Sequence, residues 1–346
     1  MERIAAVDAD GHITETQAQL KPYFDGYVDA GGAWSINRPF YPVDNWDRAL
    51  ADTLGDRAST AKEWLDAMDR GGMEYAFLYP TAGLGVGWIR EPDWATALCR
   101  AYNNFVSEEF LKVSPRLRAV CLIPMQDPAE AVKELRRAIS ELHFSGVMLP
   151  ANGLRLPLGH PQFHEIYAEA ERLDCFVGIH ATVRGPQSFG GDHFDKFIEV
   201  HTLSHPLAQM ISMTGWVFEG VPEKFPNLRT GFMESGCSWV PYWLNRMDEE
   251  YEKRAPEAPL LKKKPSEYIR SGNIYFHGEA DEVLLPEAMR WLGGGSVFYA
   301  SDFPHWDHSY PHNIDEFLEM DSLTLEEKRA LLRDNCLRMY GMLARV

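Results

Sequence analysis

The stretch Val7-Asp8-Ala9-Asp10-Gly11-His12 decides the reading of this chain. A carboxylate and an imidazole stand two residues apart where the first apolar run, Ile4 to Val7, ends. Side chains at i and i+2 of a strand point the same way, so Asp10 and His12 can close on one ion at the mouth of a strand. Three further apolar runs end in a potential ligand: Cys175 to Ile179 before His180, Arg229 to Met233 before Glu234, and Val297 to Ser301 before Asp302. Four strand ends meet only if the strands are parallel and curl around an axis.

Short β-like runs recur between stretches of helical period, the pattern of βα units around a parallel sheet. They are Ile4–Ala9, Tyr75–Tyr79, Leu117–Ile123, Gly146–Leu149, Cys175–Ile179, Arg229–Met233, Ile274–Phe276 and Val297–Ala300. Helical segments lie between them at Asp93–Lys112, Pro128–Leu142, Gln162–Leu173, Leu203–Glu219 and Asp281–Leu292. This alternation predicts an α/β fold, a (β/α)8 TIM barrel forming one domain over residues 1–346, with its chemistry at the C-terminal strand ends. Residues Gln17 to Thr60 lack a clear period and are expected to form an insertion after strand 1 that caps the site. Ala181 to Phe197 reads as a second loop over the mouth, and the last helix, Leu323 to Leu343, as packing on the barrel exterior.

A chain of 346 residues, 45% of them hydrophobic, can bury a sizeable core. Its net charge of −17 repels nucleic acid and anionic membrane surfaces, and no basic cluster larger than Lys262-Lys263-Lys264 offsets it. The five cysteines show no paired spacing, which suits a reducing compartment. The start, Met1-Glu2-Arg3-Ile4, has no signal-peptide character, and no run approaches the roughly 20 apolar residues of a membrane span. A cytoplasmic protein with a small-molecule substrate is expected, with neither nucleic acid nor membrane as partner.

A lone histidine at a strand end is more often a hydrogen-bonded core or loop residue than a ligand. Here Asp10, His12, His180 and Asp302 each follow an apolar run, where a polar group left unpaired costs roughly 1–3 kcal/mol, so they read as a metal set. Glu234 follows its strand directly and needs a cation or a proton. His201 and His205 stand four apart, yet Pro206 suggests that a helix begins there and that the two are not both helical. Glu234, His205 and His277 are carried as further metal candidates, and Glu234, Asp302 and His305 as catalytic ones. Glu279 is expected at the rim and His308 on the surface, while Trp239, Tyr242 and Trp243 read as packing. No nucleophile elbow, Walker loop or dinucleotide turn is present.

At these residues the chain resembles the amidohydrolase superfamily, in the branch of aminocarboxymuconate-semialdehyde decarboxylase and the resorcylate-type decarboxylases. The likeness runs through Asp8 to His12, Ile123 to Pro128, Gly178 to His180, Phe225 to Leu228 and Ser301 to Trp306. The superfamily's first motif usually has two histidines, where this chain has Asp10 and His12; the decarboxylases usually keep a histidine where it has Glu234. Strand 4 has no lysine to bridge two metals. Carboxylates in place of imidazoles harden the site towards iron or manganese. The strand-6 segment Phe232 to Trp243 also resembles a subgroup that includes a nonheme diiron monooxygenase of platensimycin-type diterpenoid biosynthesis.

The leading expectation is therefore a nonheme iron monooxygenase with a pair of Fe2+ ions. It would hydroxylate a bulky apolar acid, such as a diterpenoid intermediate of antibiotic biosynthesis, using O2 and electrons from a ferredoxin and its reductase. The rival is a redox-neutral hydrolase or decarboxylase with Zn2+ or Mn2+, in which Asp302 handles the proton. A third reading, a catalytically silent binding protein, leaves the ligand set without a purpose. Similar barrels are often homodimers.

Overall fold

The computed structural model describes residues 4–24, 58–183 and 193–343. Eight strands follow one another in chain order around one sheet: β1 (Ala6–Ile13), β2 (Met73–Pro80), β3 (Leu117–Leu122), β4 (Gly146–Pro150), β5 (Phe176–His180), β6 (Thr230–Phe232), β7 (Ile274–His277) and β8 (Val297–Phe298). Every paired neighbour is parallel. The ring closes between β1 and the segment after β8, where Ala9 N donates to Tyr299 O (3.2 Å), Asp302 N to Asp10 O (3.1 Å) and His12 N to Phe303 O (2.7 Å). The expected (β/α)8 barrel is therefore the fold observed.

Local chemistry explains where the outer helices start and stop. Helix α1 (Ala61–Gly71) opens on Thr60, whose side chain accepts from Glu63 N, and ends at Gly72 with φ of +71°. Helices α2 (Pro92–Val106) and α3 (Pro128–Ser140) carry proline in their first turn, and Asp127 caps α3 through Ala129 N and Glu130 N. Next come α4 (His164–Arg172), α5 (Phe197–Phe218), α6 (Val240–Arg254), α7 (Leu285–Leu292) and α8 (His312–Glu319). With helices outside, the strands are hidden on both faces; all of Gly146-Val147-Met148-Leu149-Pro150 is buried.

Strand β1 differs from expectation in a way that matters. It runs on to Ile13, taking in Asp10 and His12, and pairing moves from Asp8 opposite Ala76 to Gly11 opposite Leu78. Three residues of β1 thus span two of β2, a bulge that re-aims the side chains around it. Gly11 is required there, because a Cβ would lie 2.2 Å from the Trp64 ring of α1 and 2.7 Å from Asp8 Oδ2.

Helix α5 also departs from expectation. It begins at Phe197 and passes through Pro206, so His201 and His205 are both helical and their rings sit 5.5 Å apart. Pro206 gives up one intrahelical hydrogen bond, and packing of α5 on the barrel overrides that local preference. Of the Gln17–Thr60 insertion, a capped one-turn helix, Gln17–Leu20, and the turn Lys21–Tyr23 are seen. Residues 25–57, on which its expected capping role rests, lie outside the described residues, as do 184–192 of the second loop.

The C-terminal segment does more than cover the exterior. Helices α9 (Leu325–Arg329) and α10 (Asn335–Met339) flank a π-helical turn, and Tyr340 follows them into the barrel. Its ring stacks on Phe77 of β2 (3.6 Å, 4°) and meets Phe176 of β5 at 4.7 Å, contacts with opposite walls that only an inserted ring can make. Its hydroxyl donates to Ala9 O at 2.9 Å and lies 3.0 Å from Tyr79 Oη. Gly178 leaves room for this layer, since a Cβ there would meet the Tyr79 hydroxyl at 2.3 Å. Among the described residues no helix is long and apolar enough to cross a membrane.

Tyr340→Ala would empty this layer and is expected to lower the unfolding free energy by about 3–5 kcal/mol, whereas Tyr340→Phe costs about 1 kcal/mol. Urea denaturation of both variants checks this; a loss under 1 kcal/mol for the alanine would show that the ring does not plug the barrel.

Candidate metal centre

Strands β1 and β5 bring Asp10, His12 and His180 to one end of the barrel, and the turns after β6 and β8 add Glu234 and Asp302. Two overlapping groups result: Asp10, His12, His180 and Glu234, and His12, Glu234, Asp302 and His305, each with its ligand atoms within 4.8 Å of one another. His180 Nε2 lies 2.9 Å from Glu234 Oε2 and 3.4 Å from Asp10 Oδ2. His12 Nε2 lies 3.3 Å from Asp302 Oδ1, 3.7 Å from Asp10 Oδ1 and 3.8 Å from Glu234 Oε2.

Four of these atoms, Asp10 Oδ1, His12 Nε2, His180 Nε2 and Glu234 Oε2, are buried and make no hydrogen bond, whereas Asp302 Oδ1 has His305 Nδ1 at 2.7 Å. One unpaired polar group costs about 1–3 kcal/mol, so four facing one another need a shared partner. A divalent cation is such a partner, and mixed imidazole and carboxylate donors suit first-row ions. The histidines are already oriented for it. His180 Nδ1 is 2.6 Å from Ala181 O and His12 Nδ1 is 3.1 Å from Pro80 O. A carbonyl only accepts, so each Nδ1 carries the hydrogen and each Nε2 turns a lone pair inward.

Strain marks the two carboxylates from the turns. Glu234 and Asp302 take φ of +47° and +53°, a left-handed region costing a non-glycine residue about 1–2 kcal/mol. Surrounding bonds hold them there. Asp8 accepts from Ser301 N (2.8 Å) and Ser301 Oγ (2.5 Å), and burial pushes its own carboxyl up to about 6 against those bonds. Glu282 accepts from Cys237 N (2.9 Å) and Ser238 N (2.8 Å), fixing the turn after Glu234. Gln209 of α5 is wholly buried and donates to Ile179 O (2.7 Å) and Met233 O (2.8 Å), the carbonyls just before His180 and Glu234.

Charge divides the acids. Burial opposes ionisation of Glu234, yet His205 and His180 outweigh it and hold the carboxyl well below its ordinary value. At Asp302 burial prevails over His305 and the carboxyl rises well above the usual range; Asp10 is raised by burial too. His305 Nδ1 lies 2.7 Å from Asp302 Oδ1, and this neighbour, against burial, lifts the imidazole to about 9. The Asp302–His305 pair thus retains a proton at neutral pH.

The sequence candidates separate accordingly. Asp10, His12, His180, Glu234 and Asp302 converge, joined by His305, whose ring stacks on His12 at 3.9 Å. His205 Nε2 reaches only the outer oxygen of Glu234, at 3.3 Å, and His277 stands outside both groups with Nδ1 3.7 Å from Glu279 Oε1. His201 is on the rim between Phe197 and Trp306, and His308 is half-buried against Phe303. Trp239 and Trp243 pack as expected, but Tyr242 is 68% exposed. Asp8, Gln209 and Glu282 were not singled out; Gln209 stands one helical turn after His205, a spacing that could have drawn attention to it. Above the cluster opens a cavity of about 530 Å³, bordered by Glu234, His277 and Asp302.

The amidohydrolase family profile matches residues 7–342, and the chain belongs to that family. Its curated relatives include 2-amino-3-carboxymuconate-6-semialdehyde decarboxylase of Dictyostelium discoideum, 25% identical over 74% of this chain and 70% of the relative. Gamma-resorcylate decarboxylase of a Rhizobium species is 24% identical over 88% of this chain and 92% of its own. Among solved structures, an amidohydrolase of Mycobacterium avium subsp. paratuberculosis superposes with a TM-score of 0.80 at 18% identity, covering 99% of this chain and 100% of that one. A 5-carboxyvanillate decarboxylase of Novosphingobium aromaticivorans with bound manganese gives 0.75 at 19%, covering 97% of each.

These relatives overturn the expectation of an iron monooxygenase. The curated ones are decarboxylases, and the finer likeness to a diiron oxygenase subgroup has no counterpart among them. The pull towards oxygenase chemistry came from the carboxylate-rich ligand set, which is a statement about metal hardness and not about the reaction.

Gln209→Leu would strand two buried strand-end carbonyls and is expected to cost about 2 kcal/mol or more of stability. A crystal structure of the variant should show His180 Nε2 and Glu234 Oε2 further apart than 2.9 Å; unchanged separation would remove Gln209 from the support of the site.

Proposed function

We propose that this protein is a metal-dependent, redox-neutral decarboxylase of a hydroxylated ring acid. The convergence of Asp10, His12, His180 and Glu234 at the strand ends, with their inward atoms unpaired, carries the reading. In support stand the decarboxylases among the relatives and the manganese bound in one similar structure. Mn2+ or Zn2+ fits the donor set, and Asp10 and Glu234 together would offset its two charges. When bound, such an ion supplies Lewis-acid polarisation and an anchor for the substrate's oxygens.

The remaining steps belong to the chain's own side chains. Asp302, hydrogen-bonded to His305 and facing the cavity, delivers a proton to the ring carbon that bears the carboxyl group. The bond from that carbon to the carboxyl carbon then breaks, its electron pair returns to the ring, and CO2 leaves. His305, whose Nε2 lies 3.1 Å from Thr81 Oγ1, returns a proton to Asp302. Proton consumed and CO2 released balance the reaction, so neither O2 nor an electron donor such as ferredoxin enters it.

Protein loaded with Mn2+ or Zn2+ is expected to release CO2 from ortho-hydroxylated aromatic acids under nitrogen. His180→Ala should lose its metal by elemental analysis while remaining folded. Asp302→Asn should keep metal and lose about 10²- to 10⁴-fold in rate, the usual worth of a positioned acid. Turnover that requires O2, or a wild-type rate in Asp302→Asn, would sink the proposal.

A further inference from the structure

His277 ends β7 with only 5% of its surface exposed, its ring lying 6.0 Å from Phe298 at 22°. It belongs to neither ligand group, and its buried Nδ1 has no hydrogen-bond partner. Ser235, in the turn after Glu234, likewise buries a hydroxyl oxygen without a partner. Both residues border the 530 Å³ cavity that also holds Glu234 and Asp302. Two unpaired polar atoms on one cavity wall are costly unless a ligand or water meets them.

The rest of that wall indicates what meets them. Its described side chains include Glu279, Asp281, Asp307 and Glu316, and none is a lysine or arginine. A second anionic group would be repelled there, whereas a hydrogen-bond donor finds acceptors. Resting on the decarboxylase reading above, we infer that His277 and Ser235 form a second pole of the cavity, which binds a hydrogen-bond-donating substituent, amino or hydroxyl, on the ring of the substrate. The carboxyl end is held at the metal cluster and the donor end at His277, so the two poles together fix the ring's orientation.

The test is calorimetric binding to the Mn2+-loaded protein of 2-hydroxybenzoate and of its 3-, 4- and 5-amino derivatives. At least one amino isomer is expected to bind about tenfold or more tightly than the parent acid, as a site built for a polar group discriminates against its absence. In His277→Phe that advantage should fall below about threefold with the manganese content unchanged, and Ser235→Ala should reduce it in part. No advantage in the wild type, or an advantage that survives in His277→Phe, overturns the inference. CO2 release by the wild type without such discrimination would discard this pole alone; failure to bind any of these acids would discard the decarboxylase reading with it.

Discussion

Much of this molecule is arranged around a 2.9 Å approach of His180 Nε2 to Glu234 Oε2 inside a ring of other unpaired donors and acceptors. Buried polar atoms of this kind are tolerated only where neighbouring structure holds them in place and a ligand gains from finding them so. The surrounding features follow from that constraint. The β1 bulge accompanies Asp10 and His12 into the cluster, and the left-handed backbone at Glu234 and Asp302 turns two carboxylates off the strand direction. Gln209, Asp8 and Glu282 then tie the strained turns to neighbouring elements.

The barrel separates its two tasks along its axis. At the far end the interior is closed by Tyr340 among Phe77, Phe176 and Tyr79, an aromatic layer whose hydroxyls bond to each other and to Ala9 O. Tyr79 belongs to both ends, with its ring 5.7 Å from His180 and 6.3 Å from His12. Packed rings thus join the plug at the bottom to the cluster above, in keeping with the division between the stability and catalytic faces of such barrels.

Donor hardness and reaction class are different properties, and the carboxylates here illustrate it. Glu234 adds negative charge to the cluster, which narrows the metals that suit the site without choosing between oxygen chemistry and proton chemistry. What bears on the reaction is the environment of each acid. Glu234 is held ionised between two histidines, while burial keeps Asp302 inclined to its proton. Two carboxyl groups pushed in opposite directions are suited to the opposite roles proposed for them, one as ligand and one as acid.

By itself the sequence determined the barrel and most of the cluster. Apolar runs of strand length alternating with helical stretches specify βα units, and a polar residue at the end of such a run lies at the face where a parallel barrel does chemistry; Asp10, His12, His180, Glu234 and Asp302 were legible for that reason. The rest depended on contacts between distant parts of the chain. Packing carried α5 through Pro206 and brought His205 to Glu234, and a register shift with β2 placed the bulge. His277 looks like a ligand from its place after an apolar run, yet in the fold it stands beside Glu279 and outside both ligand groups. Tyr340 is an aromatic residue in a terminal helical stretch until the folded barrel offers it an interior, 331 residues away in sequence from the carbonyl it binds. Local pattern encodes which face a side chain takes; only tertiary packing decides which side chains on that face meet.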